Sequence, residues 1–133
     1  MGYYDNDVEI EDMLGKTFTK IEGGIQDDEI KFYTTDGYVY TMYHQRDCCE
    51  GVYVEDISGD LQDLIGHEIV EASCATQDNP HASESGTWTF YKLNSDSWRG
   101  GVCIRWNGES NGYYSESVEI RKEKISSEEA GEV

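Results

Sequence analysis

The feature that most constrains the fold of this 133-residue chain is that three blocks of its sequence occur twice, in the same order. The paired blocks are residues 14–18 with 65–69, residues 30–33 with 88–91, and residues 50–57 with 111–118. Preserved order with lengthened loops is typical of a domain built from two similar units. The sequence therefore predicts two β-rich halves, at about 14–57 and 65–120.

Local patterns give the elements within these halves. Asp36-Gly37 separates two runs rich in β-branched and aromatic residues, which indicates a β-hairpin with a tight turn. Asp60 followed by Gly66 is typical of the start and end of a short helix. The predicted class is α+β, mainly β: a single small domain of about eight strands with one or two short helices.

The two ends of the chain differ in composition from the middle. Residues 1–10 are acidic and aromatic without a clear period, and residues 125–133 are acidic and serine-containing. We expect a flexible acidic arm, a globular domain over 11–124 and a disordered acidic tail.

Charge is the second strong signal, since 28 acidic residues against 10 basic ones give a net charge of −18. A domain of this size is roughly 36 Å across, a length of duplex DNA that carries about 21 phosphates. The charge is compatible with mimicry of DNA toward a nucleic-acid-binding host protein. A surface selected for solubility or high salt is the simpler explanation of the same charge. Direct binding to nucleic acid is disfavoured.

Compartment and membrane association follow from simpler features. No run approaches the ~20 apolar residues that cross a bilayer, and the first residues do not resemble a signal peptide. Four cysteines match no zinc or disulfide spacing pattern. We therefore expect a cytoplasmic protein with reduced thiols and no membrane partner.

The first candidate site lies directly after a predicted strand, where His44, Asp47, Cys48, Cys49 and Glu50 occur within seven residues. Imidazole, thiol and carboxylate groups could bind a ligand, hold a metal ion or form a nucleophile–base pair. Alternatively, one cysteine packs inward and the histidine stabilises the turn. The prediction adopted is a binding role, with no catalytic residue, metal or cofactor assigned.

The second candidate site, with two Asn-Gly turns, contains Arg105, Trp106, Asn111, Tyr113 and Tyr114, and Trp88 and Phe90 lie on a neighbouring predicted strand. Aromatic faces beside an arginine suit a small nucleotide-like ligand or the centre of a protein interface. Ordinary cross-strand packing is the alternative. Because Gly51 and Gly112 match in the repeat, both candidate sites are expected to line one concavity.

Several segments resemble a family of small uncharacterised proteins of bacteriophages and prophages. They are His44-Gln45-x-Asp47-Cys48-Cys49-Glu50, Thr87-Trp88-Thr89-Phe90-Tyr91 and residues 105–118, and the resemblance covers about 14–120. It implies an intracellular accessory protein encoded by a phage and brings no functional residue with it.

The combined hypothesis is a non-enzymatic, phage-encoded binding protein that interferes with a host process or defence system. It would either inhibit a nucleic-acid-binding host protein as an acidic DNA mimic or sequester a small nucleotide-like ligand. No P-loop, dinucleotide fingerprint, nucleophile elbow or zinc-protease motif is present in the sequence. The alternatives are a Cys/His or metal-dependent hydrolase-type enzyme and a phage structural or assembly protein, with a homo-oligomer possible in either case.

Overall fold

The structure, a computed structural model, describes residues 7–46, 49–97 and 101–125. Its eight strands are β1 Phe18–Glu22, β2 Ile30–Thr34, β3 Tyr38–Tyr43, β4 Gly51–Ser58, β5 Ile69–Asp78, β6 Ser85–Ser95, β7 Gly101–Ser110 and β8 Glu119–Lys124. The prediction of a small, mainly β domain with about eight strands is confirmed. The expected short helices are single 3₁₀ turns, at Ile10–Met13 and Leu61–Leu64.

The strands form two antiparallel sheets that exchange one strand. Sheet 1 has the order β1-β2-β3-β8, and sheet 2 has the order β4-β7-β6-β5. Each sheet thus takes three consecutive strands from one half of the chain and the last strand of the other half. This exchange ties the halves together, because neither sheet is complete without both.

Equivalent hydrogen bonds relate the two halves near their starts. The Gly15 amide donates to the Ile69 carbonyl at 2.8 Å, and the Gly66 amide donates to the Phe18 carbonyl at 2.9 Å. Both glycines have φ near +85°, in the left-handed region that other residues rarely adopt. The match of residues 14–18 with 65–69 therefore corresponds to a structural equivalence.

The second matched block needs a correction of register. The first hairpin of each half carries an irregularity after its first paired residue. When the two hairpins are aligned at this irregularity, Phe32 corresponds to Leu93 and not to Phe90. Phe32 and Leu93 are fully buried, whereas Phe90 is half-exposed on the opposite face of its strand. The shift of three residues matters because an odd shift moves a strand residue to the other face.

The third matched block is also displaced. Ile57 pairs with Ile104 in sheet 2, and Ile120 pairs with Met42 in sheet 1. By these pairs, Ile57 is the structural counterpart of Ile120. Gly51 is therefore not the structural counterpart of Gly112, although their sequences match.

The strands of the two sheets differ in length. Those of sheet 1 have 5 or 6 residues, and those of sheet 2 have 8 to 11. Residues of sheet 2 without a counterpart in sheet 1 lie at about 51–55, 74–78, 85–90 and 106–110, which we call the extension. The shared hydrophobic core lies between the sheets, and it continues along the inner face of the extension through Val54 and Trp106.

Loops from the sheet 1 side pack against the extension, both at the free edge of β4 and on its inner face. The Gln26 amide donates to the Val54 carbonyl at 2.7 Å, and the Val54 amide donates to Asp27 at 2.8 Å. Further along, Gly108 lies against Glu116, whose carbonyl oxygen would be 2.7 Å from a Cβ at this position. A side chain at Gly108 would therefore push the 111–118 loop away from the extension.

The arm expected over residues 1–10 is only partly within the described residues. Asp7 forms a β-bridge with Arg121, and the Val8 amide donates to Ile120 at 2.9 Å. Ile10 is buried in the core. Residues 7–10 therefore belong to the folded domain, because their backbone pairs with β8, while residues 1–6 and the tail 126–133 lie outside the described residues. No helix in the described part of the chain is long and apolar enough to cross a membrane.

Candidate functional site

A buried ion pair closes the corner between β3 and β4. His44 Nε2 lies 2.7 Å from Glu50 Oε2, and the two side chains are 5% and 0% exposed. The other ring nitrogen, Nδ1, lies 2.7 Å from the Ser117 carbonyl oxygen. Since a carbonyl only accepts, Nδ1 donates to Ser117, while Nε2 is in hydrogen-bonding contact with Glu50. Neither nitrogen of His44 is open to a substrate, which argues against a general-base role.

A cleft of about 260 Å³ adjoins this pair. Its lining is rich in charged and aromatic side chains: Asp28, Glu29, Tyr43, His44, Arg46, Glu50, Gly51, Val52 and Tyr53. The Gln45 amide donates to Glu119 Oε1 at 3.1 Å and so fixes the backbone beside the cleft. The cleft is lined by three carboxylates, those of Asp28, Glu29 and Glu50, and by the basic residues His44 and Arg46.

The cysteines differ from the expectation of reduced thiols. Cys49 is disulfide-bonded, so it is not the free nucleophile that the sequence offered. Cys74 and Cys103 are free. The predicted site residues Asp47 and Cys48 lie outside the described residues.

The two predicted sites meet at one groove. This groove of about 300 Å³ is lined by Cys49, Glu50, Ser83, Glu84, Glu109, Ser110, Asn111 and Tyr114, and we call it the acidic groove. It forms because Gly51 pairs with Glu109, which brings the start of β4 against the end of β7. Tyr113 lies beside it, 82% exposed and edge-on to Tyr114 at 5.0 Å between ring centres.

Glu116 fastens the loop behind the acidic groove. Its carboxylate accepts hydrogen bonds from Thr87 Oγ1 at 2.7 Å and from Ser110 Oγ at 2.5 Å. Burial raises the pKa of this carboxyl, but the hydrogen bonds from Ser110, Thr87 and Ser85 outweigh it and hold the pKa below its usual value. The loop is therefore held by a carboxylate that is ionised at neutral pH.

Aromatic residues occupy the outer face of the extension, where they surround a single carboxylate. Trp88 Nε1 donates to Glu55 Oε1 at 2.9 Å, and Arg105 Nε donates to the same oxygen at 2.9 Å. The Arg105 guanidinium lies 5.3 Å from the centre of the Trp88 ring, and Phe90 meets that ring edge-on at 6.4 Å. With His81, 6.3 Å from the indole, these residues form what we call the Trp88 cluster.

The loop between β5 and β6 connects the Trp88 cluster to the acidic groove. Asn79 Nδ2 donates to Asn107 Oδ1 at 2.8 Å, and Asn107 Nδ2 donates to Glu109 Oε2 at 3.0 Å. Asn79 also accepts from the His81 amide at 2.9 Å. The two features therefore belong to one continuous surface, bridged by buried asparagine side chains.

Two residues predicted to act together lie on opposite faces. Trp106 is fully buried in the core, so it cannot contact a ligand at the surface, and its assignment to the binding site is corrected. Arg105 faces outward, where Glu55 already neutralises it. The reason is the two-residue period of a strand, which places neighbours on opposite sides of the sheet. The ring-and-phosphate site expected from this pair does not form.

Sequence reasoning missed Glu55, Asn79 and Asn107, which organise the outer face. Glu55 lies in a strand with no motif around it, and one carboxylate among 28 gives no signal. The Asn107-Gly108 dipeptide indicated a turn, yet it lies inside β7. Within the described residues, no group of three or more His, Cys, Asp or Glu side chains is placed to hold a metal ion.

Comparison with known proteins gives one match. A family model described as "Domain of unknown function (DUF7448)" matches residues 11–120. No curated protein and no solved structure matches the chain.

Proposed function

Since this chain belongs to the DUF7448 family, we propose its activity from the site alone: it is a non-enzymatic binding protein that covers the basic, nucleic-acid-binding surface of another protein. The Trp88 cluster supplies the apolar contact at the centre of the interface. The carboxylates around it take the place of nucleic-acid phosphates on the partner.

The observation that carries this proposal is the fixed geometry of Trp88 and Arg105. Both donate to one oxygen of Glu55, and the Arg105 and Glu55 side chains are 35% and 29% exposed. Tryptophan and arginine are the residues most enriched among those that dominate binding energy in protein interfaces. Because their conformations are set before binding, little rotamer entropy is lost when a partner docks.

The surrounding charge indicates which partner fits. The face of sheet 2 that carries Trp88 also carries the carboxylates Glu55, Asp56, Glu71 and Glu109. The basic residues of this face are Lys92 and Arg105, and Arg105 is paired with Glu55. An acidic rim around an aromatic centre favours a partner with a basic rim, and it accelerates association at low ionic strength.

We place this activity in the cytoplasm of a bacterium infected by a phage, with a host process or defence system as the target. Support comes from the similarity of residues 44–50, 87–91 and 105–118 to phage-encoded proteins. The partner is then a host enzyme that handles DNA or RNA.

The competing hypotheses have less structural support. A nucleotide-binding role depended on Arg105 and Trp106 acting together, and they lie on opposite faces. A Cys/His enzyme depended on His44, whose two ring nitrogens are both engaged. The binding role retains its main residues, Trp88, Phe90 and Arg105, on an accessible face.

The test captures proteins from a bacterial lysate on immobilised wild-type protein, with Trp88→Ala and Tyr113→Ala as matched variants. Tyr113 is the control because it is an exposed aromatic residue outside the Trp88 cluster. Bound proteins are challenged separately with added duplex DNA and with high salt. We expect a captured nucleic-acid-binding protein that is released by both treatments, is lost with Trp88→Ala and is retained with Tyr113→Ala.

Two outcomes would contradict the proposal in different ways. Capture that depends on Trp88 but resists both DNA and salt would remove the nucleic-acid-mimic mechanism and leave an apolar interface. Capture that is the same for both variants would show that the Trp88 cluster is not the binding surface.

A further inference from the structure

The two sheets have four edges, and two of them are covered by other parts of the chain. On the outer side of β4, Val54 exchanges backbone hydrogen bonds with Gln26 and Asp27. On the outer side of β8, Ile120 accepts from the Val8 amide. Covering an edge strand removes a row of unpaired backbone groups that would otherwise pair with another chain.

The remaining edges, β1 and β5, are equivalent in the two halves but differ in protection. Strand β1 is short, at 5 residues, and carries the charged residues Lys20 and Glu22. Both features are common ways of preventing unwanted strand pairing. Strand β5 has 10 residues and extends well beyond its counterpart.

The 3₁₀ turn at Ile10–Met13 packs against β5, and the outer side of the strand is open over its last residues, 74–78. Ile69 exchanges hydrogen bonds with Gly15 and Lys16, and within the described part of the chain β5 forms no further backbone bond on that side. Residues 74–78 are exposed. Between Glu71 and Asp78 the strand reads Ala-Ser-Cys-Ala-Thr-Gln, which has small side chains and no charge.

We propose that β5 pairs with β5 of a second copy of this chain, in an antiparallel register centred on Cys74. Sheet 2 then continues across the dimer as one eight-stranded sheet. The symmetry is that of a two-fold dimer, in which the same surface is used by both partners. The Trp88 clusters of the two copies lie on the same side of the joined sheet.

Charge favours a second copy as the occupant. In this register Ser73 faces Ala75 of the partner strand, Glu71 faces Gln77, and Val70 faces Asp78, so no two carboxylates are opposed. The uncharged centre keeps like charges apart in a protein that is otherwise strongly acidic. Because the rest of the two surfaces repel, the dimer is more stable at high salt than at low salt.

A charge swap across the proposed register tests the pairing. Ser73→Glu with Ala75→Glu places like charges opposite each other twice, since each residue faces the other across the two-fold axis. Ser73→Glu with Ala75→Lys places opposite charges there instead. Directly opposed pairs are close enough to interact, so we expect dimer dissociation constants that differ by about tenfold or more between the variants.

Light scattering and sedimentation, over a range of protein concentration in low and high salt, measure the dimer. The Glu/Lys variant also controls for folding, because it changes the same two positions as the Glu/Glu variant. A protein that stays monomeric throughout would overturn the proposal. So would a dimer with the same stability in wild type and both variants, which would indicate another interface.

Oxidation of the thiols gives an independent measurement. Opposed strand residues have Cα atoms about 4.5–5.5 Å apart, within the range that a disulfide spans. Molecular oxygen with a copper catalyst takes one electron and one proton from each Cys74 and is itself reduced to water. Burial raises the pKa of the Cys74 thiol, so mildly alkaline conditions are used. Covalent dimers should be lost with Cys74→Ser and retained with Cys103→Ser; the reverse result would refute the proposed register.

Discussion

Sheet 1 and the extension of sheet 2 have outer faces of different character. On sheet 1, Lys20 lies 5.0 Å from the centre of the Tyr33 ring and 3.3 Å from Glu22, while Arg121 lies 4.7 Å from the Tyr43 ring. These long cations cover the tyrosines, which are less than a tenth exposed. The face is largely covered and neutralised by its own residues.

On the extension, the Trp88 indole stays half-exposed although the Arg105 guanidinium lies 5.3 Å from the centre of its ring. Arg105 borders the extension, and its charge is paired with Glu55. The comparison shows that the two sheets share one core, whereas the extension leaves an aromatic ring half-exposed on its outer face. The predictions below test how far the extension is part of that core.

The largest effect is expected for Trp106→Ala, compared with Trp88→Ala on the other face of the same sheet. Trp106 is fully buried, so truncation should cost about 3–5 kcal/mol of unfolding free energy through lost packing. Trp88 is half-exposed, so Trp88→Ala should lower the unfolding free energy clearly less. Urea unfolding followed by circular dichroism measures both. Similar costs for the two would mean that the extension does not share the core.

A smaller effect is expected at the corner between β3 and β4, where His44 and Glu50 lie. His44→Leu leaves the Glu50 carboxylate buried without its imidazole, and removing one member of a buried pair costs about 3 kcal/mol. The double variant His44→Leu with Glu50→Leu should recover part of this loss, because the buried carboxylate is then removed together with its imidazole partner. The same urea experiment tests it, and a double variant as unstable as the sum of two single ones would contradict the electrostatic explanation.

The sequence was sufficient to predict the fold class, because turn signals and alternating apolar residues are local. It also matched residues 14–18 with 65–69, where both glycines require a left-handed conformation. It misplaced the second block, since Phe32 and Phe90 share a residue type but not a face. Identity of side chains carries no information about which side of a strand they occupy.

The candidate site shows the same limit of sequence reasoning, because neighbours in the sequence need not share a face of the sheet. Sequence proximity grouped Arg105 with Trp106, whereas the sheet groups Arg105 with Trp88 and Glu55. That grouping depends on the pairing of β4 with β7, two strands that are far apart in the chain. A shared groove between the two predicted sites was expected, and the acidic groove is present. It forms because β4 pairs with β7, and not because Gly51 matches Gly112.

The smallest predicted effect concerns the loop that Glu116 holds against the extension. The folded state lowers the pKa of this carboxyl, so its stabilising contribution is complete above the unfolded value of about 4.3 and is lost as pH falls through the lower folded value. Glu116→Gln should therefore destabilise the protein at neutral pH by about 1 kcal/mol, and less so in acid, because hydrogen bonds to a charged acceptor are the stronger ones. Urea unfolding across this pH range measures the difference. Thr87→Val removes one donor and should reduce the same pH dependence; if it leaves that dependence unchanged, Glu116 is not held by the extension.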